Sequence, residues 1–279
     1  MFGWMKRPMA ALALCAVLLS ACLFLCACGK EEEITPMQMD ILKIGKADCI
    51  LINTGSKIVM IDTGEEDDLT EICAYMRQNE RTKIDTLILT HYDKDHIGAA
   101  KGVLSLYEVG TVIENRMKSG SSEYIAYHGV ISDKEIPVMK LTENYTFTSD
   151  SCVFTVDVPK KDDYPTKHDN NISLIVSVRC GKTDFLLCGD AMEARLQEWM
   201  TDCSEKFDFV KLPYHGSYIK NYSDFLDSVQ PQYAAITCSK KNPADSETLS
   251  LLKERSIEIY QTKNGTVRVQ TDGKTITVS

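Results

Sequence analysis

From residue 83 to residue 100 the chain passes from apolar to polar and back to apolar. Ile84-Asp85-Thr86-Leu87-Ile88-Leu89-Thr90 reads as a buried strand, and His91-Tyr92-Asp93-Lys94-Asp95-His96 leaves its end before Ile97-Gly98-Ala99-Ala100. Upstream, Met39-Asp40-Ile41-Leu42-Lys43-Ile44 alternates as a half-buried strand. Residues 49–52 and 57–61 predict two more strands, joined through the turn Asn53-Thr54-Gly55-Ser56. Leu69, Ile72, Cys73 and Met76 recur at helical spacing, with Asp67 or Asp68 placed to cap a helix over 68–78. A further helix starts near Gly98 and carries Val103, Leu104 and Leu106.

The pattern weakens over residues 112–158, where only 136–139 and 153–156 read as strands and 118–122 reads as loop. Residues 160–171 are polar and predict a long exposed loop. Beyond them come a hairpin over 173–178 and 184–188, a helix over 193–200, a strand over 209–212 and a helix over 223–229. A strand over 233–238, a helix over 246–255 and a closing hairpin through Asn264-Gly265 and Asp272-Gly273 complete the chain. Groups of strands separated by single helices predict an α+β domain, with sheets packed together and helices outside.

The first 36 residues stand apart from that domain. Lys6 and Arg7 precede an apolar run over residues 8–27, followed by Gly29-Lys30 and the acidic Glu31-Glu32-Glu33. This is the pattern of a bacterial secretion signal over residues 1–27 with a charged tether over 28–36, and small residues before cysteine mark a lipoprotein. Two lipidation sites compete. Leu19-Ser20-Ala21-Cys22 fits the local pattern best, whereas cleavage before Cys28 leaves a polar mature start and avoids exposing Leu23-Phe24-Leu25, which favours Cys28. An uncleaved membrane anchor is the alternative, because about 20 apolar residues just span a bilayer. Either way the positive end stays cytoplasmic and the domain over residues 37–279 lies on the extracytoplasmic face; the favoured lipoprotein reading leaves it lipid-anchored at the bacterial cell surface.

A hydrophobic content of 44% is enough for a sizeable core. The net charge of −9, falling to −11 when residues 1–27 with Lys6 and Arg7 are removed, supplies no global field for polyanions. Tight global nucleic-acid binding is thereby disfavoured, though a phosphodiester held in a metal-lined cleft is not. Four of the eleven cysteines fall in the signal; the other seven are widely spaced, form no Cys-x-x-Cys, and leave room for one disulfide in an oxidising compartment. Cys49, Cys152, Cys188 and Cys238 lie in apolar runs, where a free thiol packs as a small hydrophobe. No protein partner follows from the sequence.

Imidazoles and carboxylates are the ligands that borderline divalent metals accept, and one loop after a strand can aim them at two adjacent positions. Residues 91–96 therefore form half of a candidate metal site. Several further runs follow the pattern of one family in its order: Ile61-Asp62-Thr63-Gly64, Asn170 to Leu174, Leu187-Cys188-Gly189-Asp190, Leu212-Pro213-Tyr214-His215-Gly216-Ser217 and Tyr260-Gln261-Thr262-Lys263-Asn264-Gly265-Thr266. His-x-Asp-x-Asp-His with these companions resembles the metallo-β-lactamase superfamily. The Asp93 variant resembles its branch containing the hydrolase domain of the competence protein ComEC, over residues 37–279. The resemblance implies a four-layer αββα sandwich with the site at one edge, between the sheets.

It also implies a ligand set of His91, Asp93, Asp95, His96, Asp190 and His215, with Asp190 bridging one or two divalent ions, zinc or manganese. Asp95 and His215 take the catalytic roles. Asp62 holds a histidine N–H or the loop backbone, Asn170 fills the slot where other members place a third histidine, and His168 competes for that slot. Asp93 in place of an imidazole hardens the site toward manganese or iron. The implied activity is phosphodiester hydrolysis by a metal-bound hydroxide, on a small or polymeric substrate. Two histidines usual in relatives are replaced, by Tyr214 and Asn242, and Tyr214 can offer a hydroxyl near developing charge. A hydrolase of another ester, lactam or envelope substrate, or a non-catalytic binding lipoprotein, remains the alternative.

Overall fold

The computed structural model describes residues 34–164, 166 and 168–279, the side chain of His168 excepted. The predicted signal, both candidate lipidation cysteines and most of the tether lie outside the described residues. Two sheets form the domain. The first runs in the order β15 (Ile276–Val278), β14 (Val267–Thr271), β1 (Met37–Ile41), β2 (Ile50–Asn53), β3 (Ile58–Ile61), β4 (Lys83–Leu89), β5 (Glu108–Asn115), β6 (Val138–Leu141). The second runs β13 (Glu258–Gln261), β12 (Tyr233–Ile236), β11 (Phe209–Lys211), β10 (Thr183–Leu187), β9 (Ile175–Cys180), β8 (Cys152–Asp157), β7 (Tyr145–Ser149).

Alternation along the strands explains why the two sheets face each other. Met37, Met39 and Ile41 of β1, Ile50 and Ile52 of β2, and Val59 and Ile61 of β3 meet Phe185 and Leu187 of β10 in one apolar layer. The intervening residues, Leu51, Met60 and Leu87 among them, face the other way, toward the helices Leu69–Gln78, Ala100–Leu106 and Ser122–Asp133. On the far side, Leu186, Val210 and Ala234 pack under the helices Glu193–Asp202, Tyr222–Val229 and Ser246–Glu254. Three apolar layers between four structural ones make the αββα sandwich expected from the resemblance.

Several readings are corrected. Strand β5, strand β7 and the helix Ser122–Asp133 fill the stretch whose pattern was weak. The helix carries buried Tyr124, Tyr127 and Ile131, yet Ile125 is exposed, so its apolar residues do not gather on one stripe. Residues 160–171 are not all exposed loop: Tyr164, Asn170 and Asn171 are buried, and the last two sit on the short helix His168–Asn171. Asn264-Gly265 joins the two sheets, because β13 pairs with β12 and β14 with β1; only the Asp272-Gly273 turn closes a hairpin. Asp68 gives no side-chain cap to its helix; its carboxylate instead accepts the Glu65 N–H at 2.8 Å. Cys152 is not a free thiol but bonds Cys180, directly opposite across β8 and β9.

Topology positions the chemistry. Strands β3 to β6 run parallel, as do β10 to β13, so their carboxyl ends gather loops along one edge of each sheet. Asp62 follows β3, His91 to His96 follow β4, Asp190 follows β10 and His215 follows β11.

Candidate metal centre

Four of the six predicted ligands converge. Asp95, His96, Asp190 and His215 each offer a ligand atom, and these atoms all lie within 4.8 Å of one another. His96 Nε2 stands 3.3 Å from Asp190 Oδ1; His215 Nε2 stands 3.2 Å from Asp190 Oδ2 and 3.3 Å from Asp95 Oδ2. His91 and Asp93 form an adjacent pair instead, Nε2 to Oδ2 at 3.7 Å, with the His91 ring 4.0 Å from that of His96. Asn170 donates its amide to Asp93 Oδ2 at 3.3 Å, so the residue in the third-histidine slot supports a carboxylate.

The donors fit a divalent ion on a structural test. His91 Nε2, His96 Nε2, His215 Nε2 and Asp190 Oδ1 are buried without a hydrogen-bond partner. The imidazole nitrogens lie close to carboxylates, yet not in hydrogen-bonding geometry. Buried polar atoms left this way are rare, and several aimed together are what a metal satisfies.

Supporting contacts fix which nitrogen is presented. Asp62 Oδ1 accepts the Thr90 N–H at 2.8 Å, and its Oδ2 accepts the Thr90 hydroxyl at 2.7 Å and meets His96 Nδ1 at 2.7 Å. With its proton given to Asp62, the Thr90 oxygen accepts from His91 Nδ1 at 3.1 Å. One carboxylate therefore sets the tautomer of two histidines, leaving both Nε2 atoms toward the cluster. Thr237 Oγ1, 2.9 Å from His215 Nδ1, plays the same part for the third.

Two site residues escaped the sequence reading. Asp48, on the β1–β2 loop, and Lys211, at the end of β11, are fully buried and form an ion pair beside the cluster. Lys211 also donates to the Gly189 carbonyl at 3.2 Å and lies 4.0 Å from Asp190 Oδ1. The available signal was a lone charge in each apolar run, Ala47-Asp48-Cys49-Ile50 and Phe209-Val210-Lys211-Leu212. Asp48 Oδ1 also stands 3.4 Å from His215 Nδ1.

The charges hold one another. Burial pushes Asp48 toward the neutral acid, but Lys211 and His215 outweigh it and keep the carboxyl far below its ordinary range. Asp190 behaves alike: burial is overcome by His215 and His96. Burial likewise opposes charge on His215, yet Asp190, Asp48 and Asp95 lift it to about 10. For His96, burial is outweighed by Asp190 and Asp62, which raise it well above the usual histidine value.

Tyr214 is half-buried next to His215, and Lys46 Nζ lies 5.3 Å from the centre of its ring. Asn242 is exposed on the loop after β12, its N–H bound to Ser239 Oγ at 3.0 Å. His128 pairs with Glu114 at 3.2 Å.

The sequence pattern that defines the metallo-β-lactamase superfamily matches residues 43–239. The chain belongs to that superfamily. Among curated relatives, ComE operon protein 3 of Bacillus subtilis (strain 168) is 25% identical over 280 residues, covering 88% of this chain and 34% of the relative. Recombination protein 2 of Haemophilus influenzae is 28% identical over 212 residues, covering 74% of this chain and 25% of the relative. This superfamily member thus spans about a third or less of their length. The solved structure of the metallo-beta-lactamase fold protein YhfI from Bacillus subtilis shares the fold, with a TM-score of 0.59 at 13% identity over 85% of this chain and 100% of that one.

Proposed function

We propose that this metal-dependent hydrolase of the metallo-β-lactamase superfamily cleaves phosphodiesters on the outer face of the membrane. The carrying observation is the convergence of Asp95, His96, Asp190 and His215 with three unpartnered imidazole Nε2 atoms. Zinc or manganese held by these residues would supply a Lewis acid that acidifies water and stabilises charge on a phosphoryl oxygen. The chain's own residues do the rest. Asp62, Thr90 and Thr237 hold the ligand histidines by their Nδ1 atoms. Asp95, part-exposed where its neighbours are buried, is placed to orient a water and take up its proton. Tyr214, next to His215 in the chain, carries Lys46 5.3 Å from its ring centre, a cation and a hydroxyl offered to an anionic substrate.

Charge favours two ions. Asp48, Asp62, Asp93, Asp95 and Asp190 bring five negative charges, and Lys211 returns one. Two divalent cations neutralise that set, whereas one leaves it two charges short beside the buried Asp48, Asp62 and Asp190. The lipid anchor at Cys28, with Cys22 as the alternative, and the surface location remain part of the proposal; the Cys152–Cys180 disulfide supports them, because such bonds persist in oxidising compartments. Among the described residues no helix is long and apolar enough to cross a membrane.

The test is hydrolysis of bis(p-nitrophenyl) phosphate by the full-length chain with zinc, manganese or chelator, beside Asp95→Ala. Metal-dependent turnover lost in the variant supports the reading. Stoichiometric metal binding without turnover of any diester, lactam or thioester sinks it and leaves a binding lipoprotein.

A further inference from the structure

The carboxyl ends of β10, β11, β12 and β13 lie side by side, because these strands pair in parallel. The first two carry Asp190 and His215. The next two carry lysines: Lys240 and Lys241 in the loop after β12, and Lys263 in the turn after β13. Lys43 and Lys46 on the β1–β2 loop and Lys220 after His215 add to them.

Hydrogen bonds join these four segments. Thr262 Oγ1 accepts the Cys238 N–H at 2.9 Å and donates to its carbonyl at 3.1 Å. The Lys43 N–H reaches Thr266 Oγ1 at 3.1 Å, the Asp245 N–H reaches the Gly216 carbonyl at 3.1 Å, and Asp245 Oδ2 accepts the Tyr218 N–H at 2.7 Å. Lys46 rests over Tyr214, which closes the circuit back to the metal cluster.

None of these six lysines has an ion-pair partner among the described residues, whereas Lys83, Lys94, Lys140, Lys160 and Lys211 all do. The segments 42–49, 212–221, 237–245 and 261–266 contain two acids: Asp48, which is buried against Lys211, and Asp245, which holds the Tyr218 N–H; Glu193, after β10, accepts the Lys220 N–H at 3.2 Å. In a chain of net charge −9 this is a local reversal of sign, and it adjoins the candidate metal cluster.

We propose that these lysines form a track that binds consecutive phosphates of an extended phosphodiester strand to one side of the metal cluster. The inference rests on the phosphodiesterase reading and narrows it from small esters to polymers. Neighbouring strands sit about 4.8 Å apart, so the track runs about 14 Å from β10 to β13. That length spans several phosphates of a strand that repeats its charge every few ångströms. Lysine suits such a track, because a point charge on a flexible stem grips a backbone without reading its sequence.

The experiment compares the full-length chain with its Lys240→Gln/Lys241→Gln/Lys263→Gln variant, all exposed or half-exposed positions whose replacement leaves the core intact. Anisotropy of a labelled twelve-nucleotide oligothymidylate is followed in chelator, where nothing is cleaved, as salt rises from about 25 to 250 mM. Turnover of bis(p-nitrophenyl) phosphate with manganese is measured in parallel. For single strands each phosphate contact contributes about −0.7 to the slope of log K on log salt, so loss of three contacts lowers the slope by about 2. Binding at the lowest salt should weaken at least tenfold while turnover of the small ester stays within twofold. An unchanged slope, or no binding by the wild type, overturns the track. Equal losses on the small ester place the lysines at the cluster itself and also overturn it. If the slope changes but neither protein turns over the small ester, the track stands and the phosphodiesterase reading falls.

Discussion

Replacing Lys211 by methionine removes an ammonium buried in the carboxylate cluster while keeping the length of its stem. In the structure that ammonium pairs with Asp48 and lies 4.0 Å from Asp190 Oδ1. At an effective dielectric of about 20 the Asp190 contact alone is worth about 4 kcal/mol before desolvation. Burying the ammonium offsets much of that gain, but removing one partner of a buried pair strands the other, at about 3–5 kcal/mol. Lys211→Met should therefore destabilise the metal-free protein by about 3–5 kcal/mol, and Asp48→Leu by a similar amount. The double variant, with an apolar pair in place of an ionic one, should recover at least about 2 kcal/mol relative to additivity. Urea unfolding of the four proteins in chelator measures this cycle. The same Lys211→Met change deletes a positive charge beside the candidate ligand Asp190, so affinity for zinc in a chelator competition should rise, by about tenfold or more. Additive single effects, or a Lys211→Met cost under about 1 kcal/mol, would refute the view that Lys211 is the counter-charge of Asp48.

Asp62→Asn removes the acceptor shared by Thr90 and His96, so both histidines lose their fixed tautomer; metal affinity should fall about 10–100-fold, read by the same chelator competition. Gly216→Ala adds a Cβ that would lie 2.7 Å from Ile236 Cγ2 on a backbone with φ of +74°, and should cost about 2 kcal/mol or more, seen as a lowered Tm. His215, pushed against by burial but lifted to about 10 by Asp190, contributes stability that is full below the unfolded histidine value of about 6.5 and is lost as pH rises through about 10. The metal-free protein should accordingly lose several kcal/mol between those limits in urea titrations, and a midpoint that holds steady or climbs with pH contradicts the assignment. Cys152→Ser should lower Tm only in protein purified without reductant, since under reduction the bond is absent from both chains.

Most of the candidate site was legible because each candidate ligand follows a strand whose apolar run announces it. His91 to His96 follow β4, Asp190 follows β10 and His215 follows β11, so a local pattern located each one at a strand end. Asp48 and Lys211 were not legible, because their meaning lies in a contact between residues 163 positions apart. A single charge in an apolar run reads as a strand edge until the second sheet brings its partner. The division of the ligands into a cluster of four and the adjacent pair His91 and Asp93 was likewise beyond the sequence, since it depends on how far each side chain reaches from a shared turn. The helix Ser122–Asp133 was missed for a different reason. It buries Tyr124, Tyr127 and Ile131 while exposing Ile125, so periodicity gives no clear stripe, and only Ser121 accepting the Tyr124 N–H at 3.2 Å marks its start.

The backbone at the cluster shows how the fold holds this arrangement. Asp62, Tyr214 and His215 are side-chain-bearing residues in the left-handed region, with φ of 57°, 49° and 52°, and Gly189 and Gly216 share that hand. Each such non-glycine position costs about 1–2 kcal/mol relative to a right-handed one. Three of them within one site demand compensation from nearby contacts. Asp62 receives it from three hydrogen bonds to Thr90 and His96. His215 receives it from Thr237, and the turn around it is held by the Tyr214 N–H to the Gly189 carbonyl at 3.4 Å and by the Tyr222 hydroxyl to the Pro213 carbonyl at 2.6 Å. The sharp turn after β11 swings His215 back toward Asp190, at the end of the neighbouring strand, rather than letting it continue outward with the loop. Such turns are poor local minima for tyrosine and histidine, and a chain selected for stability alone would place glycine or asparagine there. Such strain beside unpartnered imidazole nitrogens is what a site shaped for an external ligand requires, and it adds to the argument from the donor set.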